Sequence, residues 1–292
     1  MAYVRVCLFM ALLPVPLAAI EWAFAASGSG LSLLDTSGAG QITLYVAILL
    51  SIVAFQRLVA RDRPFGYLVH YLRHWRRGLG GFVAMAAFTF GVAAVFLSAV
   101  GLTGHLTISP EALARLDAAV MFATVIAIPI AFVLAFAEEL IFRAFLLRYL
   151  RWNTTMPVTV GAVGFSSLVF ALSHNLASPF SWLTADQGLL FVGLFVLGVV
   201  LSIAYLATGS LLCSTGIHAG LLMVEVTRRT TDLLVVVPGH WLAGVGQDVR
   251  MAPLSWLMFA GLGAIVLALR RPLARRFAIE RPVVSRGLVR AP

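Results

Sequence analysis

Two adjacent carboxylates stand inside an apolar run, in the stretch Ala137-Glu138-Glu139-Leu140-Ile141-Phe142-Arg143. Ionisable side chains in a hydrocarbon environment cost about 2.5–3.5 kcal/mol each on insertion scales for Arg, Lys and Asp, so such a cluster implies compensation or function. Helical spacing sorts the pair. Glu139 and Arg143 are four residues apart and share a face, where the guanidinium keeps that carboxylate ionised and fixed. Glu138 lies about 100° around the helix and is neutralised less completely. A carboxylate left nearly alone in a poorly hydrated site suits a general base toward water. Two histidines complete the candidate set: His174 closes the apolar run at Phe170-Ala171-Leu172-Ser173-His174, and His218 stands between Gly216 and Gly220 in a later run. That small-xxx-small spacing lets a neighbouring helix approach beside the imidazole.

These residues need elements that bring them together. The 292-residue chain is 61% hydrophobic and 11% charged, with a mean hydropathy of +0.99, outside the range of soluble domains. A bilayer core of about 30 Å needs about 20 apolar residues per helix. Eight runs approach this: 4–24, 42–56, 82–103, 118–150, 157–174, 189–207, 210–226 and 254–269. The fold expected is therefore all-α, a polytopic transmembrane bundle of about eight spans forming one membrane-embedded domain, 1–292. A tight turn at Thr208-Gly209 joins the sixth span to the seventh. The N-terminal run, with Arg5 ahead of it and Ala23-Phe24-Ala25-Ala26 behind, imitates a signal peptide. Glu21 within it and the later spans favour an uncleaved first helix. Depths counted from the helix ends place Glu138 about 18 Å and His218 about 12 Å from the inner side, but His174 about 25 Å.

All 21 basic residues are arginine, and the formal charge is +9. Their distribution answers to membrane topology and not to nucleic acid. Arg57, Arg61, Arg63, Arg73, Arg76 and Arg77, then Arg148 and Arg151, then Arg270 to Arg290, fall on one side of an eight-span chain; Arg115, Arg228, Arg229 and Arg250 fall on the other. The positive-inside rule makes the crowded side cytoplasmic, with both termini there and 270–292 a basic cytoplasmic tail. A multi-pass protein of the cell membrane follows. Between Arg57 and Arg77, Tyr67, Tyr71 and Trp75 alternate with basic residues, as in an amphipathic stretch on an anionic membrane surface or a solvated loop. Cys7 and Cys213 have no disulfide or metal spacing.

The motifs resemble those of the CPBP family, the CAAX proteases and bacteriocin-processing (Abi) enzymes that include the type II CAAX prenyl endopeptidases. A Glu-Glu-x-x-x-Arg at Glu138, Glu139 and Arg143, a Phe-x-x-x-His at Phe170 and His174, and the histidine His218 carry the likeness, with a catalytic core over 118–226. The resemblance implies an intramembrane endopeptidase in which Glu138 and His174 activate the attacking water, His218 helps stabilise the oxyanion, and Glu139 and Arg143 support them. Its partners would be the lipid bilayer and a membrane-anchored protein or peptide substrate, processed near its C terminus, at a sorting signal or during maturation. The family's third motif usually has Asn or Asp four residues after its histidine, and here Leu222 stands there. A leucine cannot donate to an oxyanion, and Asn175 or Glu225 are the candidates to replace it. No cofactor is implied, although Glu138, Glu139, His174 and His218 could also be drawn as a zinc site; no His-Glu-x-x-His pair is present. Two other classes compete: a non-catalytic scaffold or bacteriocin-immunity-type protein, indifferent to Glu138→Gln, and a proton-coupled transporter, separable by a liposome flux assay.

Overall fold

A computed structural model describes residues 22, 26, 38–58, 74–115, 117–150, 155–174, 184–237, 242 and 249–279. Their order is α1 (Gly38–Leu58), α2 (Trp75–Leu102), β1 (Leu106–Ile108), α3 (Pro110–Ala114), α4 (Ala118–Glu139), a π-helical segment (Leu140–Leu147), α5 (Arg148–Leu150), α6 (Met156–Ser173), α7 (Ala185–Thr208), α8 (Leu211–Thr231), β2 (Leu234–Val236), a 3-10 turn (Val249–Met251), α9 (Pro253–Ala268) and α10 (Arg270–Phe277). Seven of the eight expected spans coincide with helices here; the first, 4–24, lies outside the described residues. Three helices are long and apolar enough to cross a bilayer, Trp75–Leu102, Met156–Ser173 and Asp186–Thr208, or four if α9 and α10, bent by 70°, count as one span. The count of eight is therefore not reproduced among the described residues. α8 is less apolar because it carries His218 and the charged turn Glu225, Arg228 and Arg229.

The outer surface is solvated by something other than water. Leu102, Val125, Ile126, Ile130 and Val133 of α2 and α4 all stand exposed, whereas the polar side chains Glu139, Arg143, Ser167, Ser202 and His218 are buried. That inverted arrangement is what a lipid environment asks of a helical bundle.

α8 is the central helix, packed on α2 and α4, while α7 joins α6 to α9. Its contact with α2 depends on two glycines. A Cβ on Gly216 would stand 2.5 Å from the Phe82 carbonyl oxygen, and one on Gly220 would stand 2.7 Å from that of Ala86. Only glycine fits at either place, and the two contacts step forward together along both chains, so α2 and α8 run parallel. Both chains consequently leave at the same end, and their apolar exits pair. Leu106 faces Val236 and Ile108 faces Leu234 in an antiparallel two-stranded sheet. Apart from this short sheet the described residues are mostly helical, as the all-α expectation has it. The turn between α7 and α8 is as short as expected: Gly209 takes a left-handed φ of 64°, its amide donates to the Tyr205 carbonyl, and the Ser210 amide donates to Thr208 Oγ1.

The arginines sort by end. Phe277 of α10 packs where Gly81 of α2 leaves room, and Arg77 Nη1 donates to the Ala278 carbonyl at 3.4 Å. Arg76 and Arg77 thus share one end with Arg270, Arg271, Arg275 and Arg276. Arg228 and Arg229 stand at the far end of α8, beside the sheet. Most of the expected amphipathic stretch between Arg57 and Arg77, and the tail beyond Ile279, lie outside the described residues.

Candidate functional site

The long run 118–150 is a continuous helix whose winding changes at the site. α4 ends with Glu138 and Glu139, and the next eight residues are π-helical. π turns are rare and concentrate at functional sites, because the wider winding re-aims side chains and loosens the carbonyl ladder. The Phe142 carbonyl accepts a hydrogen bond from Ser166 Oγ of α6 at 3.0 Å, which ties the π segment to the helix that ends in His174.

Glu139 and Arg143 pair as their spacing predicts, Nη1 to Oε1 at 2.9 Å, with side-chain exposures of 0% and 1%. Arg143 also donates through Nη2 to the Gly198 carbonyl of α7 at 3.1 Å, and its guanidinium lies over the Phe170 ring, 4.7 Å from the centroid. A buried charge survives in low dielectric only when held in this way. Glu139 has a second partner that its spacing could not announce: its Oε1 lies 3.2 Å from His218 Nδ1.

Glu138 is the centre of the site. Its Oε2 faces His218 Nε2 at 3.6 Å and His174 Nε2 at 3.9 Å, distances beyond a direct hydrogen bond and of the kind a bridging water closes. Its Oε1 accepts a hydrogen bond from the Tyr45 hydroxyl of α1. Glu138 is therefore less isolated than expected, and Tyr45 is the site residue that sequence reasoning missed.

The ring tautomers follow from their partners. His174 Nδ1 lies 2.8 Å from the Phe170 carbonyl oxygen, which can only accept, so Nδ1 carries the proton and Nε2 offers a lone pair toward Glu138. His218 Nδ1 donates to the Glu139 carboxylate by the same reasoning, leaving its Nε2 toward the same Glu138 oxygen. Phe170 stacks edge-on with both imidazoles, at centroid distances of 4.7 Å to His174 and 5.9 Å to His218. The Phe-x-x-x-His motif thus supplies both the ring that walls the histidines and the carbonyl that fixes one of them. All five residues singled out from sequence are brought together. His174 meets Glu138 and His218 in spite of the greater depth counted for it from the start of its helix.

A cavity opens on the cluster, with Glu138, His174 and His218 at its polar wall and Phe96, Leu97, Leu194, Leu197 and Phe259 among its apolar ones. Leu222 lines it, as does Glu225. Glu225 does not replace the missing donor: it accepts from Arg228 Nε at 3.0 Å and Nη2 at 2.9 Å and from Arg229, and an ionised carboxylate only accepts. Asn175, the other candidate, lies outside the described residues. No group of three His, Cys, Asp or Glu is arranged to hold a metal ion among the described residues.

Residues 119–224 match the family model described as type II CAAX prenyl endopeptidase Rce1-like. No match to the chain was found among curated proteins or solved structures. The matched stretch carries every site residue except Tyr45 and ends two residues short of the expected core, 118–226.

Proposed function

We propose, from the match of residues 119–224 to the type II CAAX prenyl endopeptidase Rce1-like model, that the chain is a CPBP/CAAX-type intramembrane endopeptidase in which Glu138 and His174 activate water. The substrate is a membrane-associated protein or peptide, cut near its C terminus, at a sorting signal or during maturation. The observation that carries this reading is the Glu138 carboxylate facing two imidazole Nε2 atoms, at 3.6 and 3.9 Å, on the wall of an apolar cavity.

The chemistry follows from the tautomers. A water between Glu138 Oε2 and His174 Nε2 gives up a proton to this pair as its oxygen bonds to the scissile carbonyl carbon, and the π electrons move onto the carbonyl oxygen. His218, held by Glu139 through Nδ1, turns its Nε2 to the same Glu138 oxygen and helps to order that water. When the carbonyl reforms, the C–N bond breaks and the proton passes to the leaving amine. Arg143 touches none of the reacting atoms; it holds Glu139 in place.

Wild type, Glu138→Gln and His174→Ala, each expressed in a deletion background, are compared for uncleaved C termini across the membrane proteome. Accumulation of the same precursors in both variants is expected, with rates down by about 10²–10⁴ for loss of the base. Normal processing in both overturns the hydrolase and leaves the scaffold reading, which Leu222 favours. A strong chelator leaves the purified enzyme's rate unchanged; loss of activity that zinc restores would move Glu138, His174 and His218 to the role of ligands.

A further inference from the structure

Both imidazole Nε2 atoms of the site face one oxygen of Glu138, so the polar groups so far described crowd the side from which water attacks. The negative charge of the tetrahedral intermediate appears elsewhere, on the former carbonyl oxygen, after the proton has left water for the Glu138–His174 pair. Of the groups that stand toward the rest of the cavity, Leu222 has no donor, and Glu225 is an acceptor already held by Arg228 and Arg229. Arg250 also lines this cavity, and it is the one guanidinium among the described lining residues.

The backbone of Arg250 is held firmly. Its carbonyl oxygen accepts from the indole Nε1 of Trp256 at 3.0 Å. The same carbonyl sits so close to α7 that a Cβ on Gly193 would fall 2.1 Å from it. Gly193 therefore serves as a notch that seats the 3-10 turn against α7, and Pro253 begins α9 immediately afterwards. His174 lines the same cavity. A guanidinium on a fixed base, lining the same largely apolar cavity as Glu138, His174 and His218, has the placement that stabilises a developing anion with little reorganisation.

Resting on the hydrolase reading, we propose that Arg250 is a catalytic residue that donates N–H hydrogen bonds to the oxyanion of the tetrahedral intermediate, in the role that Leu222 cannot fill. It keeps its protons throughout; the bond made is carbon to water oxygen, the bond broken is carbon to amide nitrogen, and the guanidinium only stabilises the charge between these events.

The test uses two apolar tetrapeptides amidated at the C terminus, one with a phosphinate and one with a neutral ketomethylene in place of the scissile amide, so that the phosphinate is the only anion. Binding is measured on the full-length protein in detergent. Wild type binds the phosphinate more tightly than the ketomethylene peptide. Arg250→Gln weakens phosphinate binding by about 10²-fold, as loss of one oxyanion donor does, and leaves ketomethylene binding within about threefold. Arg250→Lys, which keeps the charge but not the fork, recovers part of the loss. Unchanged ketomethylene binding is also the check that the variant is folded. Equal weakening of both peptides would make Arg250 a ground-state contact and overturn the proposal, and so would no change in either. Failure here, with Glu138→Gln still blocking processing, leaves the hydrolase standing; normal processing in Glu138→Gln removes the premise of both.

Discussion

Tyr45 shows how much of the site depends on one hydroxyl from a helix that carries no other site residue. Its O–H donates to Glu138 Oε1, leaving Oε2 as the oxygen turned to the imidazoles. The carboxylate plane is thereby fixed, so that a water meets Glu138 and His174 together. Hydrogen bonds to charged groups contribute about 1.5–3 kcal/mol. Tyr45→Phe keeps the ring and removes only the donor, so the fold stays and the base loses its orientation. The expected result is a fall in kcat of about 10- to 100-fold with KM little changed, measured on a processed substrate identified by the proteomic comparison. A rise in KM alone would show Tyr45 to be a substrate contact.

At the scale of elements, the close approach of α2 and α8 holds His218 in register with the two glutamates. Gly216 and Gly220 each face a backbone carbonyl of α2, and a carbonyl cannot move aside as a side-chain tip can. Gly216→Ala and Gly220→Ala therefore force the helices apart, at about 1–3 kcal/mol each. Both are expected to lower the melting temperature in detergent and to reduce cleavage. Gly91→Ala, also in α2 but with open space beside it, changes neither. The glycine spacing around His218 was legible in the sequence for this reason. So were Glu138, Glu139, Arg143 and His174, because a charged or titratable side chain in an apolar run stands out against its cost. Tyr45 and Arg250 were not. A tyrosine in an apolar helix is commonplace, and Arg250 read as one more loop arginine that reports on sidedness. The π segment was equally hidden, since Leu140 to Leu147 has the same apolar character whether its carbonyls are met four or five residues on. The pairing of His218 with Glu139 depends on that local winding and on the depth of α8, and neither is written in spacing within one helix.

For the molecule as a whole, the arrangement of arginines by end carries the topology. Arg76 and Arg77 stand beside α10 with Arg270, Arg271, Arg275 and Arg276, held by the Arg77 contact to the Ala278 carbonyl and by the Ile279 amide, which donates to the Gly209 carbonyl at 3.1 Å. The two-stranded sheet and the short helix α3 belong to the opposite end, with Glu111 in the first turn of that helix. An excess of arginine on one side of a bilayer marks the cytoplasmic face, so the α10 end should face the cytoplasm and the sheet should face away from it. Single cysteines at Glu111 and Arg275, in a background with Cys7 and Cys213 changed to serine, test this with a membrane-impermeant maleimide on intact spheroplasts. Glu111→Cys is expected to label from outside, and Arg275→Cys only after lysis. The reverse pattern would put the sheet, and the parallel exits of α2 and α8 with it, on the cytoplasmic side. The cavity would then take its substrate from cytoplasmic proteins and not from chains already carried across the membrane.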